Sequence, residues 1–140
     1  MQYQTHVDGE DAPDGYIFVF GSNLAGRHGR GAAKHAALHY GAQYGCGQGP
    51  TGMSYAIPTK GYRIETLPLS VIAEHAKAFI DYARDNPDTP FFLTRVGCVL
   101  AGYTDAAIAP LFIGIPVNVN IPREWAIHLG RPEGVRNTDH

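Results

Sequence analysis

The chain is poor in cysteine: its 140 residues contain two, Cys46 and Cys98. That is too few for a disulfide framework or a cysteine zinc site, and each is read as a reduced thiol. Long apolar runs are also missing, since no segment approaches the ~18 residues a membrane span needs. The opening "MQYQTHVDGEDAPDG" is polar and acidic, without the basic and apolar regions of a secretion signal, so a cytoplasmic location is expected. Charged residues make up 17% and the net charge is -2, so the chain as a whole is not built to coat nucleic acid. Hydrophobic residues make up 44%, an ordinary globular share, and the length suits one domain with its own core.

One shortage is local. Between Gly15 and Ile64 there is no Asp or Glu, while Arg27, Arg30, Lys34, Lys60 and Arg63 all lie there. Five positive charges in a chain that is net negative favour an anionic ligand; solvated surface charge is the plainer alternative.

The 17 glycines and 10 prolines punctuate a pattern of strands alternating with helices. Tyr16–Phe20 reads as a buried strand, residues 30–40 as a helix with alanines near one face, and Met53–Pro58 as a strand stopped by its proline. Leu69, Ile72, Ala73, Ala76, Phe79, Ile80 and Ala83 recur at helical spacing, between Pro68 at the start and Pro87 after the end. Residues 91–96 form a third strand, Thr104 caps a short helix start, and residues 117–121 form a last strand. "GCGQGPTG" (residues 45–52) reads as loop. Residues 1–15 are expected as a loose arm, 16–130 as the domain and 131–140 as a polar tail. The alternation implies an α/β domain: a three-layer α/β/α sandwich around a mixed, mostly parallel sheet. Such sheets bind ligands outside the carboxyl ends of their strands. Three loops leave strands in that way, residues 21–29, 59–61 and 97–103, and they are expected to meet.

A glycine turn feeding a helix presents backbone N–H groups and the positive end of the helix dipole, which suits phosphate. Two familiar phosphate motifs do not fit. Gly26 and Gly31 have P-loop spacing, but Ala32 and Ala33 stand where lysine and a hydroxyl are needed. A dinucleotide fingerprint needs glycine where Lys34 stands and an acid about 20 residues on; neither is there. His35 and His39 have the spacing of a zinc motif, and His28 could join them, but "HAALH" lacks the glutamate, and two ordinary helix histidines are the simpler reading. No G-x-S-x-G marks a serine nucleophile. Cys98, in a glycine loop without a basic neighbour, reads as a small buried residue.

These segments together resemble a macrodomain, most of all the branch containing the terminal ADP-ribose protein glycohydrolase. "GRGAA" (residues 29–33), opening a helix that ends "HYG", resembles that branch's phosphate turn and helix. "YAIPTK" resembles its strand ending in Ile-Thr-Lys, "LTRVGCVLAGY" resembles its Pro-Arg-Ile-Gly-Cys-Gly-Leu loop, and "VNVNI" its closing strand. Order and spacing agree across residues 16–122. "FGSNLAGRHG" also resembles a group of macro-like proteins common in phages and bacteria, which points to a bacterial or infected host cell.

The resemblance implies a cleft for ADP-ribose or a derivative, with no cofactor. Gly29, Arg30, Gly31 and Ala32 would seat part of the diphosphate. Gly97, Cys98, Val99, Leu100, Ala101, Gly102 and Tyr103 would form the opposing loop. The first loop would add Gly21, Ser22, Asn23, Leu24, Arg27 and His28, with Asn23 meeting a ribose hydroxyl, and Thr59 and Lys60 would complete the rim. Tyr103 or a phenylalanine would offer adenine a flat surface. Lys60 matches the branch's nucleophilic lysine, but Ala101 stands where its assisting aspartate belongs. Asp105 either replaces that acid or is a helix-start charge. Lys60 is accordingly a nucleophile or a plain phosphate ligand. Two expectations follow: a binding protein, which in a phage would sequester a host ADP-ribose-type immune signal, or a hydrolase acting on an ADP-ribose derivative.

Overall fold

The computed structural model describes residues 3–98 and 100–131. Within them, strands and helices alternate as β1 (Thr5–His6), β2 (Ile17–Asn23), α1 (Gly31–His39), β3 (Gly49–Thr51), β4 (Ser54–Lys60), α2 (Leu69–Asp85), β5 (Phe91–Leu93), α3 (Asp105–Ile108) and β6 (Val119–Pro122). Two 3-10 segments, Ala109–Phe112 and Arg123–Leu129, complete the chain of elements. The strands form one sheet in the order β1-β6-β5-β2-β4-β3. Every neighbouring pair is parallel except β3–β4. This is the mixed, mostly parallel α/β architecture expected from the alternation.

The strands sort their side chains with period 2 into two cores. Phe18, Phe20, Ala56 and Phe92 pack on one face beneath Ala33 and Ala36 of α1. Val19, Tyr55, Ile57, Phe91, Leu93, Val119 and Ile121 pack on the other, beneath α2 and the 3-10 segments. Along α2, Ile72, Ala76, Phe79, Ile80 and Ala83 are the buried stripe. Burial of each large side chain among them contributes about 1.5–3 kcal/mol. The small alanines of α1 let that helix lie close to the sheet.

Several local readings need correction. The arm is not loose: Thr5 and His6 pair with Ile121 and Pro122. The His6 ring stacks 3.8 Å from Phe92, and its Nδ1 lies 2.8 Å from the Asn120 amide oxygen. Pro58 does not stop its strand; β4 runs on to Lys60. The pairing of β3 reaches Ala56 and no further, so a residue without an N–H is tolerated on the edge beyond. The "GCGQGPTG" stretch contains β3, which turns back onto β4 through Gly52 at a φ of 56°. Arg131 is not tail: it is buried and donates to the carbonyls of Val119 at 3.1 Å and Pro116 at 3.0 Å. The rest of the expected tail, residues 132–140, lies outside the described residues. The third and last strands are also shorter or shifted: β5 ends at Leu93, and β6 begins at Val119 and extends to Pro122.

Candidate functional site

The first loop is shaped by close backbone approaches. A Cβ on Gly21 would lie 3.4 Å from the Gly97 nitrogen and 3.5 Å from the Thr59 hydroxyl, so the ends of β2, β4 and β5 converge there. Gly26 (φ 72°) leaves no room for a Cβ against Gly45 and Cys46, nor Gly47 against the Asn23 carbonyl. Ser22 donates to the Gly47 carbonyl, and the Leu24 N–H donates to the Lys60 carbonyl at 2.9 Å. The glycine-rich segment after α1 is thus the wall that holds the first loop in shape.

A cleft of about 580 Å³ opens where these strands end. All three expected loops reach it. Gly21, Ser22, Asn23, Arg27, Gly29, Arg30, Gly31, Ala32, Thr59, Lys60, Gly97, Leu100 and Ala101 line it. Leu100 leans over the turn, with a Cβ on Gly31 (φ 57°) falling 3.2 Å from its side chain. Helix α1 begins here without a side-chain cap and without an acid in its first turn. Its first N–H groups and its positive dipole end therefore face the cleft without a side-chain acceptor. Among the described residues, the side chains of Arg27, Arg30 and Lys60 form no hydrogen bond or ion pair.

Other expected residues are turned elsewhere. Leu24 does not line the cleft. His28 is buried, edge-on to Phe20 at 5.4 Å, with Nε2 donating 2.8 Å to the Gln43 carbonyl. It therefore does not join His35 and His39. Tyr103 donates to the Leu67 carbonyl at 2.8 Å and packs against the larger core, and Gly102 also lies off the cleft. Cys98 is half-buried off the cleft, and burial, followed by the charge of Asp105, pushes its thiol up to about 12. Val99 lies outside the described residues. Asn23 does line the cleft, but both its amide atoms are committed: Nδ2 donates to the Arg27 carbonyl at 2.8 Å and Oδ1 accepts from the Arg27 N–H at 2.9 Å. It shapes the turn more than it offers itself to a ribose.

Asp105 is placed outside the cleft lining. Its two oxygens accept from Arg95 Nε and Nη2, both at 2.8 Å, and one also accepts from Trp125 Nε1 at 2.7 Å. Burial pushes its carboxyl up, yet the hydrogen bonds from Arg95 and Trp125 outweigh that and hold it below the usual carboxylate range. A carboxylate so committed is a poor substitute for the acid that Ala101 lacks.

The structure also brings in residues the sequence reading passed over. His6, Asp8, Glu10 and Asp11 line the cleft from the N-terminal segment. So do Phe18, Phe92, Thr94 and Arg95 from the sheet and His35 from α1. Phe18 and Phe92 lie buried at its base with ring centroids 6.4 Å apart, Tyr40 stacked on the first at 4.4 Å and His6 on the second at 3.8 Å. The acids are partnered: Asp8 meets Arg95 at 3.3 Å and Asp11 meets His35 Nε2 at 3.1 Å. The phenylalanines had a signal in their strand alternation. The acids had none, because β1 reaches the sheet through a partner strand at the other end of the chain.

No family model, curated protein or solved structure matches this chain. Among the described residues no helix is long and apolar enough to cross a membrane, and no three His, Cys, Asp or Glu groups converge on one point.

Proposed function

We propose that the cleft captures an anionic nucleotide of the ADP-ribose type. The observation that carries this reading is one rim with three cations, Arg27, Arg30 and Lys60, whose side chains have no partner among the described residues, beside the uncapped start of α1. Backbone N–H groups, a helix dipole and unpaired cations together suit a diphosphate. The volume, about 580 Å³, is in the range of small-molecule sites. The macrodomain resemblance points the same way. In a phage, such capture would withdraw a host ADP-ribose-type signal.

Hydrolysis is the second reading, favoured by Lys60 standing in the cleft without a partner among the described residues. Two features favour capture: Ala101 lies where the related branch has its acid, and Asp105 is bound to Arg95. Isothermal calorimetry with ADP-ribose, AMP and inorganic pyrophosphate tests the reading. ADP-ribose is expected to bind most tightly, and Lys60→Ala to weaken it by roughly 1.5–3 kcal/mol, one charge-assisted hydrogen bond. Absence of heat and of thermal stabilisation with all three compounds at millimolar concentration would defeat it. Free ADP-ribose released from an ADP-ribosylated substrate, and lost in Lys60→Ala, would establish the hydrolase instead.

A further inference from the structure

Arg95 follows β5 and lines the cleft, yet nothing in the glycine-loop reading uses it. Its guanidinium carries five N–H donors in a rigid fork. Asp105 takes one edge of that fork, Nε and Nη2, both at 2.8 Å. Asp105 is itself fixed, because Trp125 Nε1 donates to it at 2.7 Å. The fork is therefore aimed before any ligand arrives. Its other nitrogen, Nη1, meets the Asp8 carboxylate at the looser distance of 3.3 Å.

Asp8 is the more loosely held and more exposed of the two partners. It lies in an exposed turn closed by the Glu10 N–H to the Val7 carbonyl at 3.2 Å. Gly9 in that turn has φ 90° and no neighbour within 4 Å of a Cβ position, and the turn's other bond is from the Val7 N–H to Glu10 Oε1 at 3.2 Å. Withdrawing Asp8 leaves intact the bonds that aim Arg95. A carboxylate oxygen against Nη1, within the cleft lining, marks where an anionic oxygen sits comfortably.

We propose that Arg95 is a second anion-binding group of the cleft, aimed by Asp105 and kept occupied by Asp8 until a phosphoryl oxygen of the ligand takes that carboxylate's place. Asp105 is then a positioning residue. The inference rests on the anionic-nucleotide reading and adds to it a self-occupied subsite in the same cleft. The exchange is a swap of ion-pair partners, with no bond formed or broken covalently. With Nε and one Nη2 proton kept on Asp105, the outer edge of the guanidinium, Nη1 and the second Nη2 proton, remains for a phosphoryl group.

Calorimetric titration of ADP-ribose into wild type, four single variants and one double variant tests it. Asp8→Asn, an exposed change, is expected to tighten binding about 3–10-fold by removing the competing charge. Arg95→Gln is expected to weaken it at least 10-fold. Asp105→Asn should weaken binding in the wild-type background but add little to Arg95→Gln, an interaction that mere loss of packing would not produce. Lys60→Ala is the control for the parent reading. If Lys60→Ala loses affinity while Asp8→Asn and Arg95→Gln match wild type, this proposal falls and the parent reading stands. If neither wild type nor Asp8→Asn takes up ADP-ribose, both fall. Should Arg95→Gln fail to fold, an unchanged affinity in Asp8→Asn still overturns the exchange.

Discussion

Replacing Asn23 by alanine removes the clamp that gives the first loop its shape. The side chain is 8% exposed and holds both the N–H and the carbonyl of Arg27, at 2.9 and 2.8 Å. Each bond contributes a net of about 0.5–1.5 kcal/mol, so their joint loss costs roughly 1–3 kcal/mol. The larger penalty of a stranded buried group is left out of this sum, because Arg27 is an exposed residue. A loss of about 2 kcal/mol corresponds to a fall in Tm of roughly 6–10 °C for a domain of this size. Arg27 and the turn into α1 lose their anchor at the same time, so affinity for ADP-ribose should fall at least 10-fold. Asn23→Asp keeps the acceptor but sets a carboxylate oxygen against the Arg27 carbonyl, and should lose no less. Differential scanning calorimetry gives the Tm and titration calorimetry the affinity. An Asn23→Ala protein with wild-type values of both would refute the view that this side chain shapes the loop.

Two further perturbations follow from single residues. Ile64, a β-branched residue at φ 65° on the cleft lining, holds a backbone conformation that costs about 1–2 kcal/mol, so Ile64→Gly should raise stability by about 1 kcal/mol in urea unfolding after glycine's own entropy is subtracted; a drop instead would show that its packing outweighs the strain. Burial lowers the His6 pKa below 6.5, so the unfolded chain takes up the proton more readily; stability from this residue is full above pH 6.5 and lost as pH falls through the folded value. His75 shifts in the same direction, again through burial, so His6→Gln should flatten part of the decline seen by urea midpoints below pH 6.5 and leave the remainder; an unchanged slope would refute the assignment to His6.

The sequence by itself determined what depends on near neighbours along the chain. The stripe of α2 is a 3.6-residue period written into Leu69–Asp85, and the burial pattern of β2 and β4 is written in their apolar runs. The Thr104 cap was legible because capping is a contact three residues long; its hydroxyl accepts from the Ala107 N–H at 3.2 Å. The meeting of three glycine loops was legible as well, since parallel strands joined by crossovers must place successive carboxyl ends on one rim. Tertiary structure alone decided the charge balance of the cleft. The stretch without acids looked uniformly basic, but β1 pairs with β6 and carries Asp8, Glu10 and Asp11 to the same cavity. His6 is held there by Asn120, 114 positions away, a distance over which no local pattern carries information. The same limit explains Asp105, bonded to Trp125 across 20 positions; Asn23 instead closes a turn onto Arg27 four residues on, a local contact that was within reach of the sequence. Residue type showed that each could bond a ligand. What Asp105 bonds was decided by which groups folding brought within 3 Å, Arg95 and Trp125. A polar side chain satisfies the nearest buried partner first, and the fold chooses that partner.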